Sequence, residues 1–168
     1  MKAIVNASLI VGDGVLRGHT LFFDEKIRRI EKGAPDNIVG VSEIFDGQGK
    51  YLSPGFIDLH IHGCGGRDTM DNDDESLASI SRNLPATGAT SFLATTMTME
   101  WSQIEKALVR IRKNMPCNRG ANLLGCYLEG PFISEKYKGA QDGKHILAPD
   151  FKLIEDFKDV IKVVVLAP

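Results

Sequence analysis

The chain has 168 residues, of which 43% are hydrophobic and 25% charged, with a formal net charge of −2. This is the composition of a globular protein long enough to bury a core. The near-neutral charge and the lack of a basic face argue against a general binder of nucleic acid or acidic membranes, and no apolar run reaches the ~20 residues that span a bilayer. The short basic clusters Arg28-Arg29 and Arg110 to Lys113 read as solvated faces. The N-terminal stretch is apolar, but Asn6 and Ser8 interrupt it, so it reads as a strand and not as an export signal. An odd number of cysteines (Cys64, Cys117 and Cys126) forms no paired framework, which suits reduced thiols in the cytoplasm.

In chain order, residues 1–52 predict short strands near Lys2–Val11, Leu16–Phe23, Lys26–Lys32 and Val41–Asp46, broken by turns such as Gly12-Asp13-Gly14. Strands at this spacing predict a small β-sandwich or β-cap. The turn Asp46–Lys50 then feeds a strand over Ser53–His62, to which Phe56, Ile57 and Leu59 give a buried character. Beyond it the pattern changes to alternating helix and strand. Asp73 or Asp74 caps a helix carrying Leu77, Ile80 and Leu84 on one face, and Pro85 and Gly88 end it. A strand over Ala89–Met97 follows, then a helix over Trp101–Asn114 with Ile104, Leu108, Ile111 and Met115 aligned, stopped by Pro116. Strands over Ala121–Leu128 and Lys162–Leu166, with a short helix near Pro149–Phe157 between them, complete the series. Alternation of this kind predicts a parallel sheet with right-handed crossovers, and the apolar run Val163–Leu166 predicts burial on both faces. At most four strand–helix units fit, half of a closed (β/α)₈ barrel.

Two constellations carry chemistry. On a strand, residues i and i+2 project to one side about 6.5 Å apart, so His60 and His62 can converge on one metal ion. Pro54-Gly55 before them and Gly63, Gly65 and Gly66 after them bound the strand, after which the chain breaks into a glycine-rich loop. Cys64 continues the same series but is followed by two glycines, so it is expected beside the site and not as a ligand. Glu129 ends a later strand and precedes Gly130-Pro131. In a parallel barrel, strand C-termini open onto one mouth, which makes His60, His62 and Glu129 a partial metal shell. Asp58 is expected to hold the strand end. His19 and His145 are expected at the surface, and the acidic run Asp71 to Glu75 at a helix N-terminus.

P-G-F-I-D-L-H-I-H-G (Pro54–Gly63) resembles the metal-binding opening of the amidohydrolase superfamily. The continuation Gly63–Asp71, the strand Thr90–Thr96 and L-E-G-P-F-I (Leu128–Ile133) narrow the resemblance to the N-acetylglucosamine-6-phosphate deacetylase family, over essentially the whole chain. L-E-G-P-F is the more specific element. Dihydroorotase- and hydantoinase-like relatives generally use a carboxylated lysine on the fourth strand, where this chain has only Lys162, at the wrong end. The resemblance implies an α/β fold: the N-terminal half of a (β/α)₈ TIM-type metal-dependent hydrolase barrel (53–168), truncated after the fourth strand and preceded by a small β-sandwich segment (1–52).

By the same resemblance Glu129 corresponds to the carboxylate ligand of the main metal, and His60 and His62 to a pair that holds a second ion in some members. The implied cofactor is one or two divalent ions, Zn²⁺ foremost, with Fe²⁺, Co²⁺ or Mn²⁺ as alternatives. The loop Lys138–Gln141 matches a segment that contacts the sugar, which makes Ala140 and Gln141 substrate-binding; some members have His at position 141. The implied reaction is metal-assisted hydrolysis of an acetamide, with an aspartate as general base and acid. That aspartate and two further histidine ligands belong to the second half of the barrel, so no catalytic residue is expected in this chain and the chain alone is expected to be inactive. The implied partner is a small amino-sugar phosphate, with no nucleic acid or membrane, and the full-length enzyme is expected to be a homodimer. Two alternatives stand beside this reading: an amidohydrolase acting on a cyclic amide, and a non-catalytic metal-binding half-barrel that pairs with another chain.

Overall fold

In a computed structural model, residues 1–33, 40–116 and 120–167 are described; Cys117 lies outside them. The chain divides into two compact units, Met1–Pro54 and Gly55–Pro168.

The first unit is one mixed sheet. Its long strands β1 (Lys2–Val11) and β2 (Gly14–Phe23) pair antiparallel, and β3 (Ile27–Lys32) continues the meander. On the other side of β1 lie β4 (Glu43–Asp46) and β5 (Tyr51–Leu52), both parallel to it. Ala7, Leu9 and Leu21 form its buried cluster.

The second unit begins with β6 (Phe56–Ile61), followed by a small hairpin of β7 (Gly63–Cys64) and β8 (Arg67–Asp68). Helix α1 (Asp74–Asn83), β9 (Ala89–Thr95), α2 (Trp101–Asn114) and β10 (Asn122–Leu128) come next, then the short α3 (Phe151–Ile154) and β11 (Ile161–Val164). The sheet order is β11-β10-β9-β6 and every pairing is parallel. Parallel neighbours need crossovers, which α1 and α2 supply. Asp73 caps α1 by accepting from the Glu75 N–H at 2.8 Å. After α1, a 3₁₀ turn over Leu84–Thr87 closes on Gly88, whose φ is +88°. Leu77, Ile80, Leu84, Ile104, Leu108 and Ile111 pack with Phe92, Cys126 and Leu128 in one core cluster. Each of these large apolar side chains contributes about 1.5–3 kcal/mol when withdrawn from water.

Two sequence expectations about burial are corrected. Phe56, Ile57 and Leu59 are 69%, 58% and 57% exposed. In the described sheet β6 has a neighbour on one side only, β9, so its apolar character meets no second partner. The run Val163–Leu166 is likewise part of an edge, with Leu166 at 58%. The glycines after His62 form a tight hairpin in place of an open loop: Gly65 and Gly66 take φ of +64° and +75°, which a two-residue hairpin turn of this kind requires and β-carbon-bearing residues resist.

Candidate metal centre

The strands bring His60, His62 and Glu129 together at neighbouring ends. His60 is on β6, His62 directly after it, and Glu129 directly after β10. The two Nε2 atoms are 3.3 Å apart, and Glu129 Oε2 lies 3.0 Å from that of His60 and 2.9 Å from that of His62. Among the described residues this is the group whose His, Cys or carboxylate ligand atoms all fall within 4.8 Å of one another, and Cys64 does not belong to it.

The donor set fits a divalent ion. Ligands held about 2.0–2.1 Å from a tetrahedral zinc lie about 3.3 Å from one another, close to the sides of this triangle. Glu129 Oε2 is shut off from solvent and stands at ion-pair distance from both imidazoles without the alignment of a hydrogen bond to either. Three electron-pair donors crowded on one point repel unless a cation or proton sits among them. The side chains are 45%, 32% and 24% exposed for His60, His62 and Glu129, so an ion could enter from solvent.

Several groups hold these ligands. Asp58 Oδ1 accepts from the His60 N–H at 3.1 Å, the local role expected of it. The Thr69 N–H donates to the His62 carbonyl at 2.7 Å, tying the hairpin back to the strand end. Tyr127 lies against the His60 ring, centroids 4.6 Å apart and planes at 51°. Sequence reasoning missed Tyr127, although it precedes Glu129 by two residues at the end of β10 and the two-residue period was there to read. His62 Nδ1 is buried without a hydrogen-bond partner among the described residues.

The other predicted site residues lie on the loop after β10. Ala140 is exposed. Gln141 is 6% exposed, and both ends of its amide are engaged: Oε1 accepts from the Thr98 N–H at 2.8 Å and Nε2 donates to Met97 Sδ at 3.6 Å. Gln141, expected at the sugar, has its amide turned towards the residues after β9. His145 is half-buried on the same loop, and Cys126, at the centre of the core, has its thiol pushed up to about 12 by burial.

A parallel half-barrel with two histidines and a glutamate gathered at its strand ends defines the class: an amidohydrolase-type (β/α) barrel, present as its N-terminal half. No protein-family model matches the chain. Similarity is found instead to individual proteins. N-acetylglucosamine-6-phosphate deacetylase of Bacillus subtilis is 46% identical over 125 residues, 70% of this chain and 32% of the relative. An N-acetylgalactosamine-6-phosphate deacetylase of Escherichia coli is 37% identical over 124 residues, again 70% of this chain and 32% of the relative. The crystal structure of N-acetylglucosamine-6-phosphate deacetylase from Pasteurella multocida superposes with a TM-score of 0.86 at 30% identity, covering 98% of this chain and 44% of that one. The chain thus spans about a third of the length of the curated relatives it matches. Its family is that of the N-acetylglucosamine-6-phosphate deacetylases, whose N-terminal part it matches.

Proposed function

We propose that this chain is the metal-binding N-terminal part of an enzyme that hydrolyses the acetamide of N-acetylglucosamine 6-phosphate to glucosamine 6-phosphate and acetate, in amino-sugar breakdown. The observation that carries the reading is the meeting of His60, His62 and Glu129 at adjacent strand ends, in a chain whose relatives are named for that reaction. Residues 1–52 and 53–168 are its two domains, a β-sandwich segment and the first half of the barrel.

His60, His62 and Glu129 are the residues that would hold a divalent ion, Zn²⁺ best by donor type, with Fe²⁺, Co²⁺ or Mn²⁺ acceptable to the same atoms. When bound, such an ion polarises the acetyl carbonyl and lowers the pKa of water towards ~7. The Glu129 carboxylate offsets part of the ion's charge, and Tyr127 and Asp58 keep the His60 ring and backbone in place for it. Ala140, exposed on its loop, meets the sugar through its peptide groups, and Gln141, turned inward, sets the course of that loop. Proton transfer falls to an aspartate outside residues 1–168, so this chain alone binds metal without turnover. The same reading makes the whole enzyme a cytoplasmic homodimer acting on a small phosphorylated sugar, with no nucleic-acid or membrane partner. Among the described residues no helix is long and apolar enough to cross a membrane.

The test is acetate release from N-acetylglucosamine 6-phosphate by the enzyme that contains this chain, stripped of metal and reloaded with Zn²⁺. Its galacto epimer and a hydantoin are assayed beside it. Zn²⁺-dependent acetate release, fastest from the gluco substrate, is expected. Ring opening of the hydantoin without acetate release overturns the reading in favour of a cyclic-amide hydrolase.

A further inference from the structure

The loop after β10 is mostly exposed around position 141, yet Gln141 itself is buried. All four of its polar groups are used. Besides the two amide bonds to Thr98 and Met97, its N–H donates to the Lys138 carbonyl at 3.1 Å and its carbonyl accepts from Lys138 Nζ at 2.8 Å. Oε1 makes the shorter of the two side-chain contacts, to the backbone of Thr98 after β9.

Thr98 is 3% exposed and is packed in turn against the metal-site strand end. Its hydroxyl approaches the Glu129 carbonyl at 3.5 Å, and a Cβ built on Gly130 would stand 1.9 Å from the same Oγ1. Gln141, Thr98 and the Glu129-Gly130 backbone therefore form one closely packed file. Movement of Glu129 towards the β9 turn would press on Thr98, and movement of Thr98 would strain its bond to Gln141.

We infer that Gln141 is a positioning residue for Glu129, fixing through Thr98 where the carboxylate meets His60 and His62. The inference rests on the metal reading above and deepens it: the buried amide reaches the metal-site strand end through Thr98. An N–H of Thr98 left without its acceptor would take water or shift, and either change loosens the file at its middle.

The experiment is Co²⁺ binding to the enzyme that contains this chain, stripped of metal, read by competition with a chromophoric chelator and by the visible absorption of the bound ion. Gln141→Met keeps length and volume and removes the acceptor. It is expected to lower Co²⁺ affinity about 10- to 100-fold, the usual effect of losing a group that orients a ligand, and to alter the absorption band. Ser81→Ala is the structural control, because it also deletes a buried side-chain bond to a backbone group, the Ala121 carbonyl at 2.7 Å. It is expected to lower stability while leaving Co²⁺ affinity and spectrum unchanged. Unchanged Co²⁺ binding by folded Gln141→Met overturns the inference, as does an equal loss in Ser81→Ala. If Gln141→Met fails to fold, Thr98→Ala removes the hydroxyl at the middle of the file, and unchanged binding there overturns it too. If the unaltered enzyme takes up no Co²⁺, the metal reading itself fails and the positioning role falls with it.

Discussion

Gly130→Ala tests how tightly the Glu129 strand end is packed. Gly130 has φ of +76°, and an added Cβ would lie 1.9 Å from Thr98 Oγ1 and 2.9 Å from Thr98 Cβ. Left-handed backbone costs a residue with a β-carbon about 1–2 kcal/mol. Forcing a methyl into a filled space costs about 1–3 kcal/mol more. Alanine also restricts the unfolded chain, which returns about 0.4–1 kcal/mol. The net loss is about 1–4.6 kcal/mol, and at roughly 4 °C per kcal/mol for a unit of this size the melting temperature falls by about 4–18 °C. Gly139→Ala separates the two terms, since Gly139 has φ of +59° with nothing within 4 Å of an added Cβ, and it should lose only about 1 kcal/mol or less. The assay is urea unfolding followed by the fluorescence of Trp101, the sole tryptophan, at the start of α2. Adding Thr98→Ala to Gly130→Ala should recover about 1 kcal/mol, a coupling of the size seen between residues in contact. If Gly130→Ala loses no more than Gly139→Ala, or if the double variant shows no coupling, Thr98 does not brace the Glu129 strand end and the packing argument is refuted.

Three further outcomes are expected. Glu129→Gln keeps the shape of the cluster and removes its charge, so Co²⁺ affinity should fall by at least about 100-fold in the same competition assay; unchanged affinity would remove Glu129 from the ligand set. Cys126 should resist iodoacetamide at pH 8 while folded, because burial holds its thiol at about 12 and only the thiolate reacts; peptide mapping should find it alkylated only after urea, whereas half-buried Cys64 labels in the native chain. The Asp68 N–H and then the Ser76 hydroxyl hold the Asp71 carboxyl below the usual carboxylate range. Its stabilisation is complete above the unfolded value near ~3.9 and fades as pH falls through the lower folded value, so Asp71→Asn should flatten the acid side of a urea-midpoint profile between about pH 4 and 2.

What the sequence made legible follows the range of the interaction. Helix α2 was readable from end to end because Ile104, Leu108 and Ile111 mark one face and Pro116 stops the chain, all within one local period. The histidine pair was readable for the same reason: two residues of strand, one side, a common point. Glu129 needed only the further rule that parallel strand ends share a mouth. The exposure of Phe56, Ile57 and Leu59 was not readable, since whether an apolar strand is covered depends on which strands flank it, and nothing inside β6 encodes that. The bond from Thr98 to Gln141 spans 43 residues and obeys no period. Motif resemblance marked Gln141 without giving its buried contact to the Thr98 N–H, which the folded loop supplies.

The two sides of the candidate centre are braced unequally, and this bears on its affinity. Glu129 follows β10, an interior strand paired with β9 on one side and β11 on the other, and Thr98 and Gln141 back it from the loops. His60 and His62 come from β6, which in the described sheet is paired on one side only and turns three large apolar side chains to solvent. Their restraints are local: Asp58 on the backbone, Tyr127 against one ring, and the glycine hairpin returning through Thr69. An ion binds three donors tightly only if none must be reordered on binding, so the more loosely held side sets the affinity. Bracing of the histidine side therefore limits the centre. A further strand paired to the free edge of β6 would hold the backbone that carries the two imidazoles, which couples completion of the sheet to metal affinity.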